Sequence, residues 1–309
     1  MAVEPKAADA GLALERGRAT TLRGEAESLG SRLPGLLVEA ERVATTVSQG
    51  VHGRRRPGLG ETFWQFRQYQ PGDAAGSIDW RQSARSRHLF VRQQEWEAAE
   101  SVWLWADQSL SMRYHSRPGL PTKRERALVM LLALAGLLVR GGERVALLGT
   151  GERPQGGRYG FNLLVDRLLR GAAGAGFHLP PEPLPRHARL VLVSDFLEPA
   201  ELLAARMRTL GTLGAEVSLL MLADPAEETL DFRGRVLFEG LEGEGRALIG
   251  NVDAIRIDYE ILYRAHHTYL ADLARRHAWR FARHRTDQPA EIGLLTLYQM
   301  LAPRAAGRH

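Results

Sequence analysis

Three oxygen-bearing side chains stand at alternate positions directly after an apolar run of the chain. Asp107, Ser109 and Ser111 follow Val102–Ala106, an alternating, aromatic-rich run typical of a buried strand. Ligands bind at the carboxyl edge of an open α/β sheet. Carboxylate and hydroxyl oxygens in a tight loop can bind one hard cation such as Mg²⁺. The alternative is a helix N-cap, because Ser and Asp are favoured caps and an apolar helix is predicted at Lys123–Val139.

A second predicted strand ends in the same kind of residue. The short apolar run Leu190–Val193 is followed by Ser194 and Asp195. Parallel strands of one sheet end at the same edge, so Asp195 is expected close to Asp107. We therefore predict one metal site formed by Asp107, Ser109, Ser111 and Asp195.

Several motifs lie outside this predicted site. Arg67–Asp73 reads Arg-Gln-Tyr-Gln-Pro-Gly-Asp, and His284–Asp287 near the C-terminus precedes Leu294–Tyr298. These motifs resemble those of one bacterial family, the "domain of unknown function 58" family. The resemblance covers about residues 35 to 303. The residues of the family signature are Arg67, Tyr69, Pro71, Gly72, Asp73, Asp79, Trp80, Ser83, Arg85 and Arg92.

The aspartate–serine–serine pattern, with Asp195 after the second strand, resembles the metal-ion-dependent adhesion site of the von Willebrand factor A fold. The resemblance implies that the serine hydroxyls bind the metal directly and that the aspartates bind it directly or through water. A partner's carboxylate would complete the shell. The pattern also includes a threonine from an intermediate loop, and the only threonine between the predicted strand Arg144–Leu148 and helix Phe161–Leu169 is Thr150, at the edge of that strand. Mg²⁺ is therefore the expected cofactor, at a site with four of five ligands.

Predicted strands and helices alternate from Val102 onward, which favours a parallel, doubly wound sheet. Strands are predicted at Val102–Ala106, Arg144–Leu148, Leu190–Val193, Glu216–Leu222 and Trp279–Arg283. Helices are predicted at Lys123–Val139, Phe161–Leu169, Pro199–Leu210, Ile255–His277 and Ala290–Met300. Leu230–Glu239 and Arg246–Ile249 are predicted as short edge strands of a hairpin. The expected fold class is α/β, with a von Willebrand factor A-like, mainly parallel sheet.

Four segments are predicted along the chain. Residues 1–32 form an N-terminal arm that is partly disordered, and residues 304–309 form a tail. Residues 33–100 comprise a helix and an ordered elaboration rich in Gly, Arg and aromatic residues, packed on the main domain. Residues 101–303 form the von Willebrand factor A-like domain. Because aromatic residues need a hydrophobic surface, we expect Trp64, Tyr69 and Trp80 to be largely buried.

The charged residues of the elaboration allow two interpretations. Asp73 and Asp79 lie near arginines in the sequence and are predicted to form a structural ion-pair network with them. The alternative is a site for an anionic partner. The arginines of this set are Arg67, Arg81, Arg85 and Arg92.

Composition excludes several kinds of protein. The chain has no cysteine, which excludes disulfides and thiolate metal sites. The longest apolar stretch, Ala127–Val139, is too short to span a bilayer, and the N-terminus lacks the layout of a secretory signal. A cytoplasmic protein without an integral membrane segment is expected. The net charge of +5 includes the cluster Arg54–Arg56, which is interpreted as a solvated loop, so no nucleic-acid binding is predicted.

The resemblance implies a non-catalytic protein-interaction module with Mg²⁺ as the expected cofactor. Relatives in this family resemble partners or adaptors of MoxR-type AAA+ ATPases in protein assembly or activation. The alternative is a metal-dependent phosphohydrolase with Asp107 as the nucleophile. Such enzymes need a second Asp two residues later as general acid, and Ser109 stands there. We therefore predict no enzyme activity, no catalytic residues and no nucleotide site. Among the histidines, His284 is expected to be oriented by Thr286 or Asp287.

Overall fold

The computed structural model of the protein describes residues 38–48, 63–69, 78–85, 88–94, 100–170, 184–241 and 243–302. The chain divides into two compact units. The smaller unit is Val51–Glu100, and the larger unit contains Ser101–His309 together with helix α1 at residues 38–48.

The larger unit is built on a five-stranded sheet in which all strands are parallel. The strands are β3 (Ser101–Ala106), β4 (Arg144–Leu147), β5 (Arg189–Ser194), β6 (Glu216–Ala223) and β9 (Arg280–Arg285). Their order across the sheet is β4-β3-β5-β6-β9. This places β3 and β5, the two strands that end in the predicted site residues, side by side. The predicted α/β class with a mainly parallel, doubly wound sheet is confirmed, and it is consistent with a von Willebrand factor A-like arrangement.

Helices connect these strands and cover the sheet. They are α3 (Lys123–Arg140), α4 (Gly157–Arg170), α5 (Ala200–Thr212), α6 (Pro225–Thr229), α7 (Val252–Arg276) and α8 (Ala290–Leu301). One face of the sheet, with Trp103 and Trp105, packs against α5 and α7 through Met207 and Leu270. Helix α3 is buried along most of its length and packs against α8. The five-residue helix α6 was not predicted.

The N-cap of helix α3 is Thr122, which forms a capping box, and not a residue of the polar loop after β3. The Thr122 side chain accepts from the Glu125 backbone N–H, and the Glu125 side chain accepts from the Thr122 backbone N–H. The alternative interpretation of the aspartate–serine–serine loop as the N-cap of this helix is therefore wrong. Within the described residues, no helix combines the length and the apolar character needed to cross a membrane.

Helix α1 belongs with the α/β domain and not with the elaboration that follows it. It buries Ala40, Val43, Ala44 and Val47. Arg42 donates to Glu291 of α8 at 2.7 Å. The apolar stripe of this helix is therefore part of the larger unit, and the packing of the elaboration on the main domain stays a prediction.

The smaller unit contains strands β1 (Phe63–Gln68) and β2 (Phe90–Gln94), paired antiparallel, and the short helix α2 (Trp80–Ser83). The Ser83 hydroxyl donates to the Asp79 carbonyl at 2.7 Å and accepts from the Phe90 N–H at 2.9 Å. The side chain of Ser83 therefore holds α2 to β2.

The burial predicted for Trp80 is wrong, since 65% of this residue is exposed. Hydrogen bonds of Asp79 and Ser83 order the short helix without burial of the indole ring. Tyr69 is partly buried and Arg85 is exposed. The side chains of Trp64, Arg67 and Arg92, and all of Pro71, Gly72 and Asp73, lie outside the described residues, so the ion-pair network stays a prediction.

The predicted hairpin is present at β7 (Val236–Glu239) and β8 (Arg246–Ile249), which pair antiparallel. The two strands form a separate sheet and do not extend an edge of the central one.

His284 of β9 is a buried histidine in the core of the larger unit, 2% exposed. Burial lowers the pKa of His284 to about 4, the charge of Arg126 lowers it further, and Asp287 opposes the shift. Within the described structure, neither ring nitrogen has a hydrogen-bond partner, so the predicted orientation by Thr286 or Asp287 is wrong. Asp287 instead accepts from Arg285 at 2.7 Å.

Lowering the pH from 6.5 towards about 4 should destabilise the protein through His284. The unfolded chain takes up this proton at an ordinary histidine pKa of 6.5, whereas the folded chain takes it up only near 4. The contribution of His284 to the free energy of unfolding is therefore fully present above pH 6.5. It is lost as the pH falls towards 4, by up to about 3 kcal/mol. Urea unfolding at several pH values should show a flatter profile for His284→Leu than for the wild type. Exposed His115→Leu is the control, and equal slopes for wild type and His284→Leu would contradict the assignment.

Candidate functional site

The predicted site lies at the carboxyl edge of β3 and β5. These strands pair in register, with Ala106 opposite Val193. The Asp107 N–H donates to the Val193 carbonyl at 2.9 Å, which continues the ladder by one residue. Asp107 and Asp195 therefore leave adjacent strands at the same edge of the sheet, as expected for a binding position in an α/β fold.

Asp107 is 1% exposed, and each of its two carboxylate oxygens accepts a hydrogen bond. Its Oδ1 accepts from the Ser109 N–H at 2.8 Å, and its Oδ2 accepts from the Ser194 hydroxyl at 2.6 Å. Burial raises the pKa of Asp107, the hydrogen bond from Ser194 lowers it, and the charge of Asp195 raises it again. Asp107 thus orders the loop after β3 and fixes this loop to the end of β5.

The two serine hydroxyls connect this loop to Asp195. Ser109 Oγ and Ser111 Oγ lie 3.0 Å apart, and Ser111 Oγ donates to Asp195 Oδ2 at 2.7 Å. The chain then forms a short 3₁₀ turn, Ser111–Arg113, in which Met112 is fully buried and anchors the loop. The structure therefore brings Asp107, Ser109, Ser111 and Asp195 together.

The residue after Asp195 has a strained backbone. Phe196 has φ of 51°, a left-handed conformation that is costly for a bulky side chain, and it is 1% exposed. The Phe196 N–H donates to Ser194 Oγ at 2.9 Å, and its carbonyl accepts from His266 Nε2 at 2.8 Å. Burial and these two bonds offset a strain of about 1–3 kcal/mol, and strain of this kind clusters at functional sites.

A buried lysine, which was not predicted, completes the site. Lys123 is the first residue of α3 and is 0% exposed. Its Nζ donates to Asp195 Oδ2 at 2.8 Å and also to Glu227 Oε1. Burial lowers the pKa of Lys123, but Asp195 and Glu227 raise it by more, so the pKa lies above its ordinary value. Lys123 is therefore a fixed positive charge inside the site.

Helix α6 presents Glu227 to this lysine. Asp224, the N-cap, accepts from the Ala226 N–H at 2.9 Å, and Glu227 Oε2 accepts from the Asp224 N–H at 2.8 Å. The second oxygen of Glu227 is thus left for Lys123. Asp224 also accepts from the Ser116 N–H at 2.9 Å, which ties the loop after the serines to α6. The sequence signal for this helix is a capping box with proline at the first position, Asp224-Pro225-Ala226-Glu227.

The amino-acid composition also contains a signal for Lys123. Of 41 Lys and Arg residues, only Lys6 and Lys123 are lysine, so the chain uses arginine at almost every other cationic position. A compact ammonium fits a small buried space between carboxylates, whereas the guanidinium is a larger planar fork. Positive charge is also disfavoured in the first turn of a helix, so Lys123 depends on its carboxylate partners.

Two features of the site agree with the expected Mg²⁺. All four predicted ligands offer oxygen atoms, which this ion prefers. The 3.0 Å between Ser109 Oγ and Ser111 Oγ matches the spacing of neighbouring ligands in an octahedron with Mg–O bonds of about 2.1 Å.

The remaining features disagree with a resident Mg²⁺. Asp195 Oδ2 already accepts from the Lys123 ammonium, and both oxygens of Asp107 accept hydrogen bonds. The Thr150 hydroxyl donates to the Leu147 carbonyl at 2.8 Å within its own turn and does not supply the missing ligand. The residues present therefore do not fit Mg²⁺ in this arrangement, and Mg²⁺ binding stays a prediction of the resemblance.

The structure defines an α/β domain with a parallel, doubly wound sheet, and the polar cluster lies at the carboxyl edge, where such sheets usually bind ligands. The chain belongs to the family described as "Protein of unknown function DUF58", whose model matches residues 65–269. It is 28% identical over 274 residues to the uncharacterized proteins Rv1480 of Mycobacterium tuberculosis and Mb1516 of Mycobacterium bovis. The match covers 82% of this chain and 83% of each relative.

Two solved structures are similar to 65% of this chain over 98% of their own length. The conserved hypothetical protein BatB from Bacteroides thetaiotaomicron has 13% identity and a TM-score of 0.36. An aerotolerance-related membrane protein from Bacteroides fragilis has 17% identity and a TM-score of 0.35. Similarity at this level supports no argument about this chain.

Ser194→Ala should lower the free energy of unfolding by about 1–3 kcal/mol, because it leaves a buried oxygen of Asp107 without its hydrogen bond. Ser218→Ala is the matched control, since Ser218 is a buried serine in the neighbouring strand β6, opposite Val191. Chemical denaturation measures both. A loss for Ser194→Ala no larger than that for the control would show that the Asp107 bond does not hold the site.

Proposed function

We propose that the protein is a non-catalytic interaction module that binds a protein partner at the carboxyl edge of β3 and β5. The main support is the hydrogen-bond pattern of the site. Asp107 has both oxygens bound at 1% exposure, and Asp195 is bound to Ser111 and Lys123. These groups hold one another in place, which suits a rigid binding surface.

The same pattern disfavours the alternative phosphohydrolase. A nucleophilic Asp107 would need a free oxygen facing a substrate, but its two oxygens accept from Ser109 and Ser194. The position two residues later is Ser109, and a hydroxyl cannot act as the general acid at neutral pH.

The surface offered to a partner is formed by the outer residues of the two loops. Ser111 is partly exposed, and Leu197, two residues after Asp195, is 50% exposed. An exposed leucine beside a rigid polar cluster is a suitable centre for a protein contact, because apolar anchors supply binding energy and polar groups fix orientation.

The proposed partner is a MoxR-type AAA+ ATPase, with this chain as its adaptor in protein assembly or activation. Membership of the DUF58 family and the resemblance described for its motifs support this choice. A cytoplasmic location and the absence of nucleic-acid binding are parts of the same proposal.

Leu197→Asp should weaken capture of the candidate ATPase at least about tenfold, because a charge replaces an apolar anchor. Leu262→Asp is the matched control, since Leu262 of α7 is 69% exposed and lies on a different element. Pull-down with the tagged protein measures capture, with chelator and with high salt in separate arms. Equal capture by both variants would contradict the proposed surface. If both variants lose capture in high salt but not in chelator, the contact is made through basic residues such as Arg54–Arg56.

A generic aryl phosphate with Mg²⁺ should not be hydrolysed above the rate of a protein-free blank. The assay uses wild type and Asp107→Asn side by side. Turnover by the wild type that Asp107→Asn abolishes would replace the interaction module with the phosphohydrolase.

A further inference from the structure

We infer that the Lys123 ammonium is the resident cation of this site and takes the place of a metal ion there. The site would then keep its shape, and bind its partner, without Mg²⁺. The binding of a partner rests on the proposed function, but the role of Lys123 can be measured on the protein alone.

The position of the ammonium supports this inference. Asp195 Oδ2 accepts both from Ser111 Oγ at 2.7 Å and from Lys123 Nζ at 2.8 Å. A cation bound to the two serine hydroxyls and to this oxygen would have to share it with Nζ, and the other oxygen, Asp195 Oδ1, accepts from the Leu197 N–H at 3.4 Å. The ammonium is thus bonded to the carboxylate that a metal at this site would need.

The concentration of buried carboxylates explains why a cation stabilises this site. Asp107, Asp195 and Asp224 are 0–3% exposed, and Glu227 is also mostly buried. Carboxylates this close repel one another when no cation lies between them. Lys123 is in contact with two of the four, Asp195 and Glu227.

Lys123 cannot exchange with solvent as a metal ion does. It is 0% exposed, and its backbone belongs to the first turn of α3, which is fixed by the Thr122–Glu125 capping box. Mg²⁺ would have to displace a covalently attached ammonium, so its binding to the wild type is expected to be weak.

The test compares wild type with Lys123→Met, which keeps the length of the side chain and removes its charge. Thermal unfolding in chelator should show a fall in Tm of roughly 10 °C, because a buried carboxylate pair loses its cation. Millimolar Mg²⁺ should restore part of this loss in Lys123→Met and leave the wild-type Tm unchanged. Isothermal titration calorimetry should show Mg²⁺ binding at least about tenfold tighter to the variant than to the wild type.

Arg126→Met is the matched control, because Arg126 is a buried cation of the same helix that donates to the Thr286 carbonyl. Its Tm should also fall, but Mg²⁺ should not restore it. If Lys123→Met does not fold, the calorimetric titration of the wild type with Mg²⁺ still tests the inference. Tight Mg²⁺ binding by the wild type that Ser111→Ala removes would overturn the inference, as would a Lys123→Met variant that is as stable as wild type in chelator.

A final arm separates this inference from the proposed function. Capture of the ATPase by the wild type should be the same in chelator and in Mg²⁺. Capture that needs Mg²⁺ overturns the role of Lys123, whereas no capture in either condition overturns the partner and leaves the titration result standing.

Discussion

The ion pairs of Lys123 with Asp195 and Glu227 hold the candidate site together, because they join three separate parts of the fold. Lys123 begins α3, Asp195 follows β5, and Glu227 lies in α6. Removing one partner of a buried pair costs about 3–5 kcal/mol, since the other charge is left without compensation. Without this lysine, the buried Asp195 and Glu227 would lose the cation that contacts them both.

The rest of the architecture positions these groups. Parallel pairing of β3 with β5 brings Asp107 and Asp195 to one edge, and the Ser194 hydroxyl fixes the loop after β3 to the end of β5. The strained conformation of Phe196 is held by burial and by His266 of α7. Each buried carboxylate of the site has a partner from another element, so the site is rigid, and rigidity lowers the entropy cost of binding a partner.

Sequence patterns were sufficient for the strands and for the residues at their ends. Alternating apolar runs predicted β3 and β5, and parallel topology then required Asp107 and Asp195 to be neighbours. The pairing of Lys123 with Glu227 could not be found this way, because 104 residues separate them and α6 is too short for a periodic pattern. Trp80 shows a different limit of sequence patterns. The aromatic content of its segment predicted that Trp80 is buried, but local hydrogen bonds of Ser83 order the segment and Trp80 is exposed.

The central claim is that an ammonium, and not a metal, is the cation that pairs with the carboxylates of the site in the native protein. A crystal structure of the wild type grown with millimolar Mn²⁺, a Mg²⁺ substitute with anomalous scattering, tests it most directly. We predict no anomalous peak beside Ser109 and Ser111, and Lys123 Nζ within hydrogen-bonding distance of Asp195. An anomalous peak bonded to both serine hydroxyls, with Lys123 turned away from Asp195, would contradict the claim.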